Sequence, residues 1–169
     1  MESISDLDLI AAQERELVLP RFDEDVAWEL GSRLRDLAAV RGLQVVIEIR
    51  RTGQLLFYTA LKGTTPDNAE WVRRKSNSVG RFYKSSYALG LGLKEIKSTM
   101  EERYQLSAAD YAFHGGSFPL RVASAGYIGS VTVSGLPQRA DHQLVVEALC
   151  LFLGRDFEKF KLPEPSKNG

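Results

Sequence analysis

Between residues 23 and 41 the apolar positions Val26, Leu30, Leu34, Leu37 and Ala38 recur at the i, i+4, i+8, i+11 spacing of one helical face, and Gly42 supplies a stop. Trp28 falls roughly 150° from the centre of that stripe, at about 100° per residue, so it points toward another part of the fold or a subunit interface. A shorter pattern, Leu7, Ile10 and Ala11 with Glu14, predicts an N-terminal helix over residues 4–17, ending before Pro20 and packed as an outer arm.

The period then changes. Residues 43–50 and 54–61 are β-branched or aromatic-rich runs of strand length, and Arg51-Thr52-Gly53 between them holds the glycine a tight hairpin favours. A second hairpin is read over residues 120–123 and 127–134, turning at Ser124-Ala125-Gly126. Between the hairpins Thr65 is a candidate N-cap and Pro66 a suitable first helical residue, for a helix predicted to run to about Ala88. Gly90 and Gly92 interrupt that pattern, after which Leu93, Ile96 and Met100 mark a shorter helix. Residues 114–119, His-Gly-Gly-Ser-Phe-Pro, read as a structured loop, because two glycines and a proline weaken both helix and central strand. Residues 137–153 form a last amphipathic helix, and residues 162–169 a loose tail. The order helix, helix, hairpin, helix, helix, hairpin, helix suits an α+β fold in which an antiparallel sheet carries helices. It argues against a doubly wound parallel sheet.

Composition narrows the setting. A chain of 169 residues with 44% hydrophobic content fits one domain with one substantial core. The 22 basic and 22 acidic residues cancel, so no global field draws nucleic acid or an anionic membrane surface. Cys150, the only cysteine, lies in an apolar run and excludes an internal disulfide. No eighteen apolar residues run together, and the first residues lack a basic segment followed by an apolar one, so the expected location is cytoplasmic, with no membrane partner.

Two segments carry a family likeness. The run His114-Gly115-Gly116-Ser117-Phe118-Pro119, followed by Ser134-Gly135-Leu136-Pro137-Gln138-Arg139-Ala140-Asp141-His142, resembles the GG-x-P and V-S-G…D pattern of the heme-degrading (GlcG/HbpS-like) domain. The loop from Gly63 to Asn68 with Trp71, then Arg74-Lys75 and Ser85-Ser86-Tyr87, is similar to an uncharacterised (UPF) branch of that superfamily. The resemblance implies a single profilin-like antiparallel sheet flanked by helices, with an arm over residues 1–20, the domain over 21–161 and the tail over 162–169. It also implies assembly into homo-oligomers and, in some relatives, binding of heme or a related tetrapyrrole with weak oxidative degradation of it. No Cys-x-x-Cys-His motif is present, so any heme is held non-covalently.

Candidate chemistry gathers on few residues. His114, beside Gly115 and Gly116, could meet a planar ligand where side chains are absent; the alternative is a loop histidine next to turn glycines. Asp141 and His142 fall early in the last helix, where the dipole favours the carboxylate and keeps the imidazole neutral. His142 thus rivals His114 as heme-iron ligand, while Asp141 reads equally as a helix stabiliser. Ser134-Gly135 leads into that helix start, whose N–H groups could accept a heme propionate or serve an ordinary turn. Arg73, Arg74, Lys75, Arg81 and Lys84 form the one concentration of positive charge, and Arg74 and Arg81 could pair with ligand carboxylates from a neighbouring subunit or simply face solvent. A Ser117, His114, Asp141 hydrolase has no spacing rule behind it. The sequence therefore supports two readings: a homo-oligomeric binder of heme or a similar flat anionic ligand, and a cofactor-free oligomeric interaction module that uses Trp28.

Overall fold

The computed structural model describes residues 5–165. The elements are helix α1 (Asp6–Glu16), α2 (Glu24–Val40), strands β1 (Val46–Arg51) and β2 (Gln54–Ala60), helices α3 (Pro66–Phe82), α4 (Ser86–Glu95) and α5 (Met100–Tyr104), strands β3 (Ser117–Val122) and β4 (Gly126–Ser134), and helix α6 (Gln138–Leu153). The two hairpins join through β1 and β4 into one antiparallel sheet of order β2-β1-β4-β3. This is the single α+β domain the sequence predicts.

Strand alternation gives the sheet two faces of opposite chemistry. Ile47, Ile49, Val131, Val133 and Phe118 point to one side and form the main core with Leu30 and Leu34 of α2 and Leu144, Val145 and Leu149 of α6. The other side carries Glu48, Arg50, Ser130, Thr132 and Ser134, and α3 lies across it. Burying polar groups there requires partners, and they are present. Ser117 and Thr132 share a hydroxyl hydrogen bond of 2.8 Å, and Glu48 takes Arg50 at 2.7 Å.

At the Ser134 end of this layer Lys75 of α3, only 3% exposed, meets Asp141 of α6 at 3.0 Å. Its remaining donors reach the Val133 carbonyl and Ser134 Oγ, both at 3.3 Å, so all three ammonium hydrogens have acceptors. Asp141 in turn accepts the N–H groups of Gly135 and Leu136. One buried pair therefore ties α3, the end of β4 and the start of α6.

Several expectations change. The helix from Pro66 stops at Phe82, because Tyr83 adopts a left-handed conformation (φ 55°) and Ser85 caps a new helix by accepting from the Ala88 N–H. Gly90 and Gly92 lie inside α4 and do not interrupt it; at Gly90 a Cβ would come within 2.3 Å of the Phe113 carbonyl. Leu93 belongs to α4, while Met100 begins α5. The irregular loop is confined to residues 114–116, since Ser117, Phe118 and Pro119 are in β3, an edge strand where a missing N–H is tolerated. The first helix packs through Ile10 and Gln13, both fully buried, and the segment after it bridges from Leu19 to Val122. Leu162, expected in the loose tail, is buried and exchanges two hydrogen bonds with Gln143. Residues 1–4 of the arm and 166–169 of the tail lie outside the described residues. Trp28 is 68% exposed, as its angle predicts, with its ring edge-on to Phe57.

Two predictions follow from the buried polar groups. Lys75→Met or Asp141→Leu alone should cost about 3–5 kcal/mol in urea denaturation, whereas the two together should cost less than the sum of the single losses, because neither charge is left alone. His142 is fully buried, and burial, aided by Arg139, pushes its pKa down to about 3. Its contribution is fully present above the unfolded pKa of about 6.5 and is lost as pH falls toward 3. Between pH 7 and pH 5 the wild type should thus lose about 2 kcal/mol more stability than His142→Gln; parallel curves for the two proteins would show that the imidazole is not held neutral.

Candidate functional site

A cleft of about 260 Å³ opens where the first turns of α3, the 114–116 loop and the β4–α6 turn meet. Trp71, Asn68, Leu136 and Gln138 form its walls, and the Lys75–Asp141 pair lines its interior. The local sequence builds it in steps. Asn68 caps α3 by accepting from the Thr65 N–H at 2.8 Å, which fixes the helix start and brings Trp71 onto the cleft side. Gln138 accepts the Gly115 N–H and holds the loop that carries His114.

The His114 ring lies edge-on to Trp71, with centroids 5.2 Å apart, and the Arg74 guanidinium sits over the same indole at 4.2 Å. These three side chains make a row of imidazole, indole and guanidinium. Partial burial, then the positive charges of Lys75 and Arg74, lower the His114 pKa and favour the neutral ring. No hydrogen bond from the described residues engages its ring nitrogens, and the side chain lines the cleft. Arg74 bonds only backbone carbonyls, at 3.4 Å, and has no carboxylate partner among the described residues.

The other residues singled out by sequence fare differently. Gly115 and Gly116 flank the cleft, but a Cβ on Gly115 would meet the Gln138 carbonyl at 2.2 Å and one on Gly116 the Val133 carbonyl at 2.2 Å. They are glycines because backbone packs on them, not because a flat ligand needs the space. Ser134 and Gly135 line the cleft or its rim, yet the Gly135 and Leu136 N–H groups already bond Asp141. The anion expected at this helix start is the chain's own carboxylate. Burial raises the Asp141 pKa and lowers that of Lys75, against the attraction between them.

His142 leaves the ligand set. Its Nε2 is 2.8 Å from Gln13 Oε1, whose amide nitrogen donates to the Phe160 carbonyl. That chain of bonds places the proton on Nε2. Its Nδ1 is buried without a partner, and the ring packs between Tyr87 and Phe118, away from the cleft. Arg81 is elsewhere too: it lines a separate groove at the far end of α3 with Arg50 and Arg73. Ser117 is fully buried and bonded to Thr132, which rules out the Ser117, His114, Asp141 arrangement. Cys150 is buried, its thiol pushed up to about 11 by desolvation.

Sequence reading missed Lys75 and Trp71 as site residues. A signal existed for Lys75: it falls on the stripe of Val72, Ser76 and Val79, all buried, where a lysine requires an acid partner. Among the described residues no cluster of three His, Cys, Asp or Glu side chains could hold a metal ion, and no helix is long and apolar enough to cross a membrane.

Comparison with known proteins places this architecture. A UPF0303 protein of Acidobacterium capsulatum is 58% identical over 164 residues, spanning 97% of this chain and 99% of that protein. The crystal structure of the Ybr137w protein superimposes with a TM-score of 0.81 at 31% identity, covering 88% of each chain. The crystal structure of the PduOC:heme complex shares the fold at a TM-score of 0.64 and 15% identity, over 76% of this chain and 93% of that one. The family model described as "Haem degrading protein HbpS-like" matches residues 22–150, which hold the whole sheet, α3, the 114–116 loop and most of α6. With that match and those full-length identities, the chain belongs to the HbpS-like family.

Proposed function

We propose that this protein binds heme or a similar flat anionic ligand at the His114 cleft. The row of His114, Trp71 and Arg74 carries the reading: a neutral imidazole lining the cleft, an aromatic wall, and a cation without a carboxylate partner among the described residues. That donor set fits heme: His114 would hold the iron, Trp71 would supply apolar surface and Arg74 would neutralise a carboxylate. The family description and the heme complex formed by PduOC support the same choice. The cleft, at about 260 Å³, lies below the roughly 300 Å³ at which small-molecule pockets begin. A cleft of that size would enclose only part of the macrocycle, and a second copy of the chain in a homo-oligomer would cover the rest. Bound heme iron supplies redox chemistry to a reductant and oxygen, which is how weak degradation of the ligand would arise. The residues of this chain position the ring, keep His114 unprotonated and neutralise a carboxylate.

The test is a hemin titration followed through the Soret band, with His114→Ala, Trp71→Ala and His142→Gln alongside. Saturable binding near one heme per subunit, weakened at least tenfold by His114→Ala and little changed by His142→Gln, is the expected result. Equal binding by the His114→Ala protein would remove the axial assignment.

A second reading rests on one observation, the exposure of Trp28 beside β2, an edge strand that also exposes Leu55 and Tyr58. In it the protein is a cofactor-free oligomeric interaction module. Trp28→Ala should then lower the mass in solution with circular dichroism unchanged, while wild-type protein shows no saturable hemin binding.

A further inference from the structure

The larger concavity of the molecule is not the His114 cleft. At the other end of α3 a groove of about 700 Å³ runs between that helix and the polar face of β1 and β4. Four arginines, Arg50, Arg51, Arg73 and Arg81, line it against one carboxylate, Asp110. Three of the four are already paired: Arg50 with Glu48, Arg51 with Glu24, and Arg73 with Glu70 and, inside the groove, with Asp110. Arg81 has no ion-pair partner among the described residues, and its guanidinium lies 5.9 Å from the Tyr111 ring centre. Among the described residues the groove thus holds one uncompensated cation, Arg81, beside three arginines already paired with carboxylates, of which Arg50 keeps its terminal nitrogens free of hydrogen bonds.

A second, independent feature is Tyr83. It ends α3 with φ 55°, a conformation glycine adopts at no steric cost and a bulky side chain only with strain. Closing the helix would be served better by glycine; what tyrosine adds is its ring. That ring stacks on Tyr127 at 4.1 Å and 18°, lines the groove, and remains 52% exposed. Arg121 donates to the Tyr83 carbonyl and fixes the unusual backbone.

We infer that this groove binds a small molecule in which phosphate groups are joined to a flat ring, such as a nucleoside diphosphate, with the phosphates against Arg81 and the terminal nitrogens of Arg50, whose Nε alone is taken by Glu48, and the ring on Tyr83. Arginine suits the multiply charged end because its planar fork meets phosphate oxygens in pairs. An aromatic face suits the ring without choosing among bases. The site is separate from the His114 cleft, and the inference does not rest on the heme reading.

Calorimetric titration of the full chain with ADP, inorganic pyrophosphate, citrate and adenosine tests it. ADP should bind saturably at one per subunit, and Arg81→Ala should weaken both ADP and pyrophosphate at least tenfold. Tyr83→Gly, which removes the ring and relieves the backbone, should weaken ADP and leave pyrophosphate unchanged. His114→Ala should bind ADP like the wild type, and Arg81→Ala should retain the wild-type hemin response, so this proposal and the heme reading fail separately. Absent or nonsaturable ADP binding, or equal binding by the Arg81→Ala protein, would overturn the site; citrate binding more tightly than pyrophosphate would overturn the phosphate assignment.

Discussion

A lysine and an aspartate with almost no access to water set the constraint around which the rest of the site is arranged. Taking both charges out of water costs several kcal/mol each, and attraction between them offsets that only when the remaining hydrogen-bonding groups are also satisfied. Lys75 and Asp141 meet this condition because three acceptors face the ammonium and two backbone N–H groups face the carboxylate. The surrounding chain is correspondingly fixed. A Cβ on Gly116 would come within 2.8 Å of the Lys75 ammonium, and Gly135 must approach Gln44 so closely that a side chain is excluded. The loop bearing His114 and the turn into α6 take their positions from the same few atoms.

The pair belongs to a larger arrangement. A sheet that is apolar on one face and polar on the other can bury both only if the polar face has its own partners, and α3 contributes to them with Lys75, bonded to Ser134 and the Val133 carbonyl, and with Ser76 beside Glu48. Where α3 does not fully cover this face, its polar groups meet solvent, and the two concavities lie at those places. One end offers a neutral imidazole and an indole; the other offers arginines and stacked tyrosines. Each is an extension of the same buried polar layer.

This division explains what was legible in the sequence. The hairpins and the α2 and α6 helices could be read because their apolar periodicity decides their inner faces. The alternation Ser130-Val131-Thr132-Val133-Ser134 is equally plain, but a polar alternate face ordinarily looks outward, and nothing local says that a helix will cover it. Lys75 therefore read as one more member of a charged stretch. His142 read as a ligand because its burial comes from Gln13, 129 positions away, and from Tyr87 and Phe118 on other elements. The break after Phe82 was missed for a different reason: the Ser85 cap was present, but the glycines of α4 gave a stronger stop signal although tight packing, not helix termination, accounts for Gly90.

The strand order also sets a timetable for biosynthesis. β1 occupies the interior of the sheet, yet its second neighbour, β4, ends at Ser134, so the β1–β2 hairpin leaves the ribosome long before the strand that completes it. During that interval one edge of β1 has its backbone groups open, and β2 presents a seven-residue outer edge, Gln54 to Ala60, with no charge and no proline to discourage mispairing. Closure waits for contacts between distant parts of the chain, the class of contact that slows folding. The half-made chain, with its apolar sheet face covered by α2 alone and α6 not yet synthesised, is the stage at which nascent-chain chaperones have the most to bind.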